Sequence, residues 1–186
     1  MRGKILFVTG NSHKLDEANR ILSPYGISLE MAVCEKLEIQ ADTLEEVASF
    51  AARTAAWRIG SPVLVEDSGL FIDALGGFPG PYSSYAFKTI GCRGILRLMD
   101  GFDDRSASFR CAVAYCAAGA EPVLFSGASG GSIATTARGA RGFGFDPIFL
   151  GKGSRLTYAE LDEESKCMAS HRGEAFRRFA EWLMGA

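Results

Sequence analysis

Residues 5–14 read ILFVTGNSHK, and this stretch indicates the class of fold. The first four residues are apolar, which predicts a strand buried on both faces, and the next four are turn and capping residues. Apolar residues then recur at helical intervals from Lys14 to Leu22, so a helix follows the turn until Ser23, Pro24 and Gly26 end it. A buried strand that passes through a short polar turn into a helix is typical of an α/β fold.

The next segments continue this alternation of strands and helices. Thr43 and Glu46 have the spacing of a capping box, and the apolar residues behind them predict a second helix that ends at Gly60. Residues 63–65 predict a second buried strand, which runs directly into Glu66-Asp67-Ser68-Gly69. We therefore expect carboxylates at the carboxyl end of a strand, where open α/β sheets bind ligands.

The second half of the chain predicts a mixed sheet. Residues 108–115 and 122–126 look like an antiparallel pair, whereas 76–81 are predicted to be loop and 90–99 helix. Residues 127–153 carry eight glycines and are predicted to be loop around one short strand. A last helix is expected over 170–183, with Lys166 ahead of it, and residues 1–186 are predicted to form a single domain.

The composition limits the partners of the protein. The chain has 186 residues, of which 47% are hydrophobic and 23% charged, and its net charge of −2 provides no basic field for duplex nucleic acid or an anionic membrane. The longest run without a charged or strongly polar side chain that could suggest a membrane span, 111–118, is too short to cross a bilayer, and the apolar run 5–8 is too short for a signal peptide. We expect a small-molecule ligand and, from reduced cysteines, a cytoplasmic location.

Cysteine and histidine argue against zinc and against a disulfide scaffold. The five cysteines form no Cys-x-x-Cys pair, and His13 and His171 are the only histidines. A metal would have to be a hard cation on carboxylates, for which Glu38, Glu66 and Asp67 are candidates. Glu38 and Asp67 would suffice for Mg²⁺ beside substrate phosphates, although solvated surface acids are the alternative interpretation.

Three further segments carry residue types suited to a nucleotide. Thr9 to Lys14 could cradle a phosphate with helix N-terminal amides, although it is not a Walker A loop and could be an ordinary capped turn. In 142–147, GFGFDP, the glycines allow close approach and an aromatic ring could stack on a base; a core aromatic in a tight turn is the alternative. Lys166 with 170–172, Ser-His-Arg, is either a cationic site or a surface cluster.

Together and in this order, these segments resemble the inosine/xanthosine triphosphate pyrophosphatase family, which hydrolyses non-standard purine nucleoside triphosphates to the monophosphate and pyrophosphate. The resemblance covers nearly the whole chain. It rests on TGNxxK at 9–14 with Glu17, VEDSGL at 65–70, ALGGFPGPY at 74–82, GFGFDPIF at 142–149, TYAEL at 157–161, and Lys166 with SHRG at 170–173.

The resemblance implies an elongated α/β fold whose active cleft lies between two lobes, a homodimer, and activity on ITP, dITP and XTP. It implies that Mg²⁺ binds Glu38 and Asp67, that Asp67 is also the general base, and that Ser68 contacts substrate. The triphosphate would fall on Thr9, Gly10, Asn11, Ser12, His13 and Lys14. The base would fall on Phe143, Gly144, Phe145, Asp146, Lys166, His171 and Arg172.

The chain departs from the family pattern in the second predicted helix. Many members carry a lysine there, where this chain has Ala51, with Arg53 two residues on as a possible substitute. Two other functions stay open at this point. One is a pyrophosphatase of the septum-formation-inhibitor type that acts on other nucleotides, and the other is a nucleotide-binding protein without turnover.

Overall fold

The fold is built on a mixed sheet, seen in a computed structural model that describes residues 5–32, 34, 37 and 39–185. The strands are β1 Ile5–Val8, β2 Leu29–Ala32, β3 Val63–Ile72, β4 Ser106–Cys116, β5 Val123–Ile133 and β6 Phe149–Gly151. Among the described residues their order in the sheet is β2-β1-β3-β4-β5-β6. β1 pairs in parallel with β2 and β3, and the later neighbours pair antiparallel, which confirms the predicted mixed sheet.

Helices cover both faces of the sheet. They are α1 Ser12–Leu22, α2 Leu44–Ile59, α3 Ser83–Thr89, α4 Gly91–Leu98, α5 Glu163–Ala169 and α6 His171–Gly185. The helices α1 and α6 bury one face, around Phe7, Leu64 and Phe176, and α2 buries the other with a row of alanines. A third apolar cluster, centred on Leu70 and Phe149, joins α3, α4 and β6 to the far ends of the long strands.

Local signals fixed the helix ends as expected. The Thr43 hydroxyl and the Glu46 carboxylate form the predicted capping box of α2, and Gly60 ends that helix in a left-handed conformation (φ 71°). Lys166 precedes α6, which begins at His171, as predicted, but it lies in a short helix of its own, α5, which the sequence analysis did not expect. No helix within the described residues is long and apolar enough to cross a membrane.

Strand β3 is longer than the sequence indicates. We expected it to end at Val65, but it continues through Glu66 and Asp67 to Ile72. The parallel partner β1 does end opposite Val65, whereas the antiparallel partner β4 goes on pairing as far as Ile72. Glu66 and Asp67 therefore lie just beyond the end of β1 and still point to opposite faces of a continuous strand.

The glycine-rich segment 127–153 is also not the loop that we predicted, because its first seven residues belong to β5. A Cβ atom on Gly127 would lie 2.2 Å from the carbonyl oxygen of His171, and one on Gly131 would lie 2.0 Å from that of Leu150. These glycines allow α6 and β6 to approach the strand closely. In the sequence alone, glycines that serve such packing cannot be distinguished from glycines of a loop.

This packing predicts a contrast between two glycines of β5. Gly127→Ala should lower the free energy of unfolding by about 1–3 kcal/mol, since the added methyl group pushes against the first turn of α6. Gly130→Ala is the matched control, because nothing lies within 4 Å of the added Cβ. Urea unfolding followed by circular dichroism measures both, and equal stability of the two variants would contradict the packing role.

Candidate active site

A cleft of about 1050 Å³ opens where β1 ends and β3 continues. One wall is the β1–α1 turn, and the opposite wall is α3 with the residues just before it. The middle of β3, buried or half-buried, and the start of α6 form the floor between them. The cleft therefore lies between the helix-covered part of the sheet and the third apolar cluster, in the position that the resemblance implied. Of the predicted site residues it is lined by Thr9, Gly10, Asn11, Ser12, Lys14, Asp67, Ser68, Phe143, Gly144, Phe145, Asp146, His171 and Arg172.

The β1–α1 turn presents the first amides of α1 to the cleft. Asn11 is the N-cap, and its Oδ1 accepts hydrogen bonds from the amides of His13 (2.9 Å) and Lys14 (3.4 Å). The Thr9 hydroxyl in turn accepts one from the Asn11 amide at 3.1 Å. The turn is thus pre-formed by its own side chains, and the positive end of the α1 dipole faces the cleft.

Beneath the cleft runs a chain of alternating charges that crosses five segments of the protein. Its three cations and three carboxylates sum to zero in their ordinary ionised forms, and each contacts the next. We call this set the charge chain. In order, its members are Lys14, Glu66, Arg172, Glu17, Lys166 and Asp146.

Glu66 is the centre of one half of the charge chain. Its Oε2 lies 2.6 Å from Lys14 Nζ, and its Oε1 accepts hydrogen bonds from Arg172 Nε (3.2 Å) and Nη2 (2.9 Å). The same Nη2 donates to Ser68 Oγ at 3.0 Å, so Ser68 points to the face of β3 that carries Glu66. Burial alone would raise the pKa of Glu66, but Arg172 and then Lys14 outweigh it and hold that pKa far below its usual range.

Glu17 is the centre of the other half. Its Oε2 lies 2.5 Å from Arg172 Nη1 and its Oε1 lies 2.7 Å from Lys166 Nζ, so one carboxylate bridges α5 and α6. Lys166 Nζ also lies 2.6 Å from Asp146 Oδ2, which accepts a further hydrogen bond from the Phe143 amide. Burial raises the pKa of Asp146 in spite of Lys166, while in Glu17 the two cations overcome burial and lower the pKa.

The GFGFDP turn places Phe143 over the charge chain. Lys166 Nζ and the Arg172 guanidinium lie 5.0 and 5.3 Å from the Phe143 ring centroid, which is cation–π distance. The His13 ring stacks on Phe143 at 5.6 Å between centroids, so His13 is directed to this aromatic and does not line the cleft itself. Phe145, by contrast, is buried and packs edge-on against Phe87, as the core-aromatic alternative anticipated.

His171 is buried at the start of α6 with its ring stacked on Phe109. Burial and the neighbouring Arg172 lower the pKa of His171 well below 6.5, so its imidazole is neutral at pH 7. Within the described part of the chain, its Nδ1 is buried without a hydrogen-bond partner. A neutral ring nitrogen of this kind in a cleft wall can accept or donate a hydrogen bond to a ligand.

Asp67 is the described carboxylate of the cleft that lies outside the charge chain. It is half-buried, and its neighbour Glu66 pairs with two cations of the charge chain. Glu38, the second predicted ligand, lies outside the described residues, and within those residues no group of three or more His, Cys, Asp and Glu side chains could hold a metal ion. One or two carboxylates with substrate phosphates and water still fit Mg²⁺.

Several residues of this site were not expected from the sequence. Glu17 was quoted with the motif at 9–14, but no role was assigned to it. Its spacing of three residues from Lys14 on α1 places both side chains on the same face of the helix, which could have indicated a shared site. The α3 residues Ser84, Tyr85 and Lys88 line the cleft and were not considered. Lys166 belongs to the charge chain but does not line the cleft, and Arg53 points away to pair with Glu121.

The charge chain predicts that Glu17 is costly to neutralise. Glu17→Gln should lower the free energy of unfolding by about 3 kcal/mol or more, since it leaves two buried cations without their shared carboxylate. Glu121→Gln, which breaks the exposed pair with Arg53, is the control and should leave the urea midpoint unchanged. Similar midpoints for both variants would show that the bridge does not stabilise the fold.

Comparisons with known proteins agree with this architecture. The model of the Ham1 family matches residues 5–182. A "dITP/XTP pyrophosphatase" of Methanopyrus kandleri is 53% identical over 96% of this chain and 95% of its own length, and one of Thermococcus kodakarensis is 47% identical over 97% of each. The structure of a HAM1 protein from Coxiella burnetii superposes with a TM-score of 0.86 at 35% identity, covering 98% of this chain and 99% of that one. The chain therefore belongs to the Ham1 family.

Proposed function

We propose that this protein hydrolyses the non-standard purine nucleoside triphosphates ITP, dITP and XTP to the monophosphate and pyrophosphate. The observation that carries the proposal is the placement of Asp67. Its carboxylate lines the cleft together with a helix N-terminus suited to phosphate and with Phe143, an aromatic side chain suited to a base. The names of the relatives in Methanopyrus kandleri and Thermococcus kodakarensis support the same substrates.

In this proposal Asp67 is the general base. It accepts a proton from a water molecule that attacks the α-phosphorus in line, the bond from the α-phosphorus to the bridging oxygen breaks, and pyrophosphate leaves. The positive end of the α1 dipole, at Thr9, Gly10, Asn11 and Ser12, stabilises the negative charge of the phosphates. Mg²⁺, held by Asp67 and Glu38, would neutralise charge on the triphosphate when bound.

Base recognition in this proposal depends on hydrogen-bond donors that the charge chain does not use. Arg172 donates from Nε and Nη2 to Glu66, from Nη2 also to Ser68, and from Nη1 to Glu17. The second N–H of Nη1 therefore remains for a ligand. A purine with a 6-oxo group can accept that hydrogen bond, whereas the 6-amino group of adenine would leave it unpaired at a cost of about 1–3 kcal/mol. Neutral His171 adds a second polar atom at the same wall.

Three finer features accompany the proposal. Magnesium rather than another hard cation, a homodimer, and a cytoplasmic location are the expectations of the sequence analysis, and each stays a prediction. Magnesium has the support of a cleft that presents oxygen ligands. Replacing Mg²⁺ by Mn²⁺ or Ca²⁺ in the assay tests the first, and sedimentation velocity tests the second.

Substrate preference is the first prediction of the proposal. Pyrophosphate release in the presence of Mg²⁺ should be fastest from ITP, dITP and XTP, about ten- to a hundred-fold slower from ATP, and lost on chelation of the metal. Preference for UTP would favour the septum-formation-inhibitor type of pyrophosphatase. Binding of ITP without pyrophosphate release would favour a nucleotide-binding protein without turnover.

Asp67→Asn is the second prediction, because it removes the base and a metal ligand while keeping the shape of the side chain. Turnover should fall at least about a hundred-fold at saturating Mg²⁺. Asp73→Asn is the control, since this exposed carboxylate follows the same strand but lies outside the cleft. Wild-type turnover in Asp67→Asn would rule out the assigned role.

Stacking on Phe143 gives a third prediction. Phe143→Leu should raise KM for ITP by about ten-fold or more with less change in kcat, since base–aromatic stacking contributes about 1–3 kcal/mol to binding. Phe143→Tyr should retain the wild-type KM because it keeps the ring. An unchanged KM in Phe143→Leu would place the base elsewhere in the cleft.

A further inference from the structure

The cations that line the cleft differ in what neutralises them. Among the described residues they are Lys14, Lys88 and Arg172. Lys14 and Arg172 both pair with Glu66, and Arg172 also pairs with Glu17. Lys88 forms no ion pair within the described part of the chain, so its positive charge is available to a ligand.

We propose that Lys88, together with Ser84, forms a subsite for the β- and γ-phosphates of the substrate and for the pyrophosphate product. The proposal rests on the function proposed above. It assigns these phosphates to α3, across the cleft from the α1 amides, so that the triphosphate is held from both walls.

The helix α3 is held firmly against the strand that carries Asp67. The buried hydroxyl of Ser83 accepts a hydrogen bond from the Leu70 amide at 2.8 Å and donates one to the Gly80 carbonyl at 2.7 Å. Gly69 makes this approach possible, since a Cβ there would lie 2.2 Å from the Gly80 oxygen. The subsite therefore has a fixed position two to three residues along β3 from Asp67.

Helical spacing brings the two donors together. Ser84 and Lys88 are four residues apart on α3, which places a hydroxyl and an ammonium on the same side of the helix. Both are exposed and both line the cleft, while Ser83 and Ala86 are buried toward the core. A hydroxyl beside an ammonium is a donor set suited to phosphate oxygens.

The charge balance of the cleft favours phosphate over another ligand for Lys88. The charge chain is neutral by itself, and Arg53 of α2 pairs with Glu121 away from the cleft. A triphosphate that approaches Asp67 therefore meets little other uncompensated positive charge from described side chains. The purine has Phe143, His171 and the residual donor of Arg172 as its partners, so it does not need Lys88.

Isothermal calorimetry with two probes tests the subsite without relying on turnover. Inorganic pyrophosphate with Mg²⁺ should bind Lys88→Gln about ten-fold more weakly than wild type, and with a smaller dependence on salt, because one charge-assisted contact is lost. IMP, which lacks the β- and γ-phosphates, should bind both proteins within about two-fold. Lys88→Arg should restore pyrophosphate binding, and Ser84→Ala should weaken it by a smaller factor.

Lys152→Gln is the matched control for loss of one surface lysine, because Lys152 is exposed and lies outside the cleft. It should leave both affinities unchanged. Wild-type pyrophosphate affinity in Lys88→Gln, or an equal loss of pyrophosphate and IMP binding, would overturn the subsite.

The two proposals fail separately. If wild-type protein releases no pyrophosphate from ITP while Lys88→Gln still loses pyrophosphate binding, the proposed function fails and the subsite stands. If wild type hydrolyses ITP and Lys88→Gln keeps its KM and its pyrophosphate affinity, the subsite fails and the function stands.

Discussion

The buried charge chain is the interaction on which the rest of the site depends. It ties α1, β3, α5, α6 and the GFGFDP turn to one another through Glu66 and Glu17, and most of its members are almost fully buried. Desolvation offsets much of the Coulomb energy of such pairs, so their main effect is to fix geometry. Glu66 and Glu17 are each shared between cations on different elements, and moving one of these elements would separate a buried charge from its partner.

Neutrality of the charge chain determines what the cleft can bind. Because its cations and carboxylates compensate each other, Lys88 is the described cation of the cleft whose charge a ligand meets directly, and Asp67 adds a carboxylate that lies outside the charge chain. A carboxylate on the floor and an ammonium on one wall suit a phosphate bound with a divalent cation. The purine end of the cleft is governed instead by stacking and single hydrogen bonds, with neutral His171 and one remaining donor of Arg172.

Much of the fold could be predicted because it follows from local signals. The first strand, the capped turn, the capping box of α2 and the separation of Lys166 from α6 depend on neighbours within a few residues. The errors concern partners that are distant in sequence. The end of β3 is set by its pairing with β4 and not by its own residues. The glycines of β5 are required by the close approach of the His171 and Leu150 carbonyls.

The sequence by itself determined the mixed α/β sheet and the motifs that the Ham1 family shares, whereas the position of Glu66 and Asp67 within a continuous strand came from the structure. Tertiary structure decided which charges a ligand can use. Lys14, Arg172 and Lys166 look alike in a sequence as cations for a nucleotide, but Glu66, Glu17 and Asp146 engage them first. Lys88 belongs to no motif that the sequence analysis recognised. Its charge is available to a ligand because α3 places it in the cleft and no described carboxylate pairs with it. Pairing across the fold is a matter of distance in space, and residue order does not contain it.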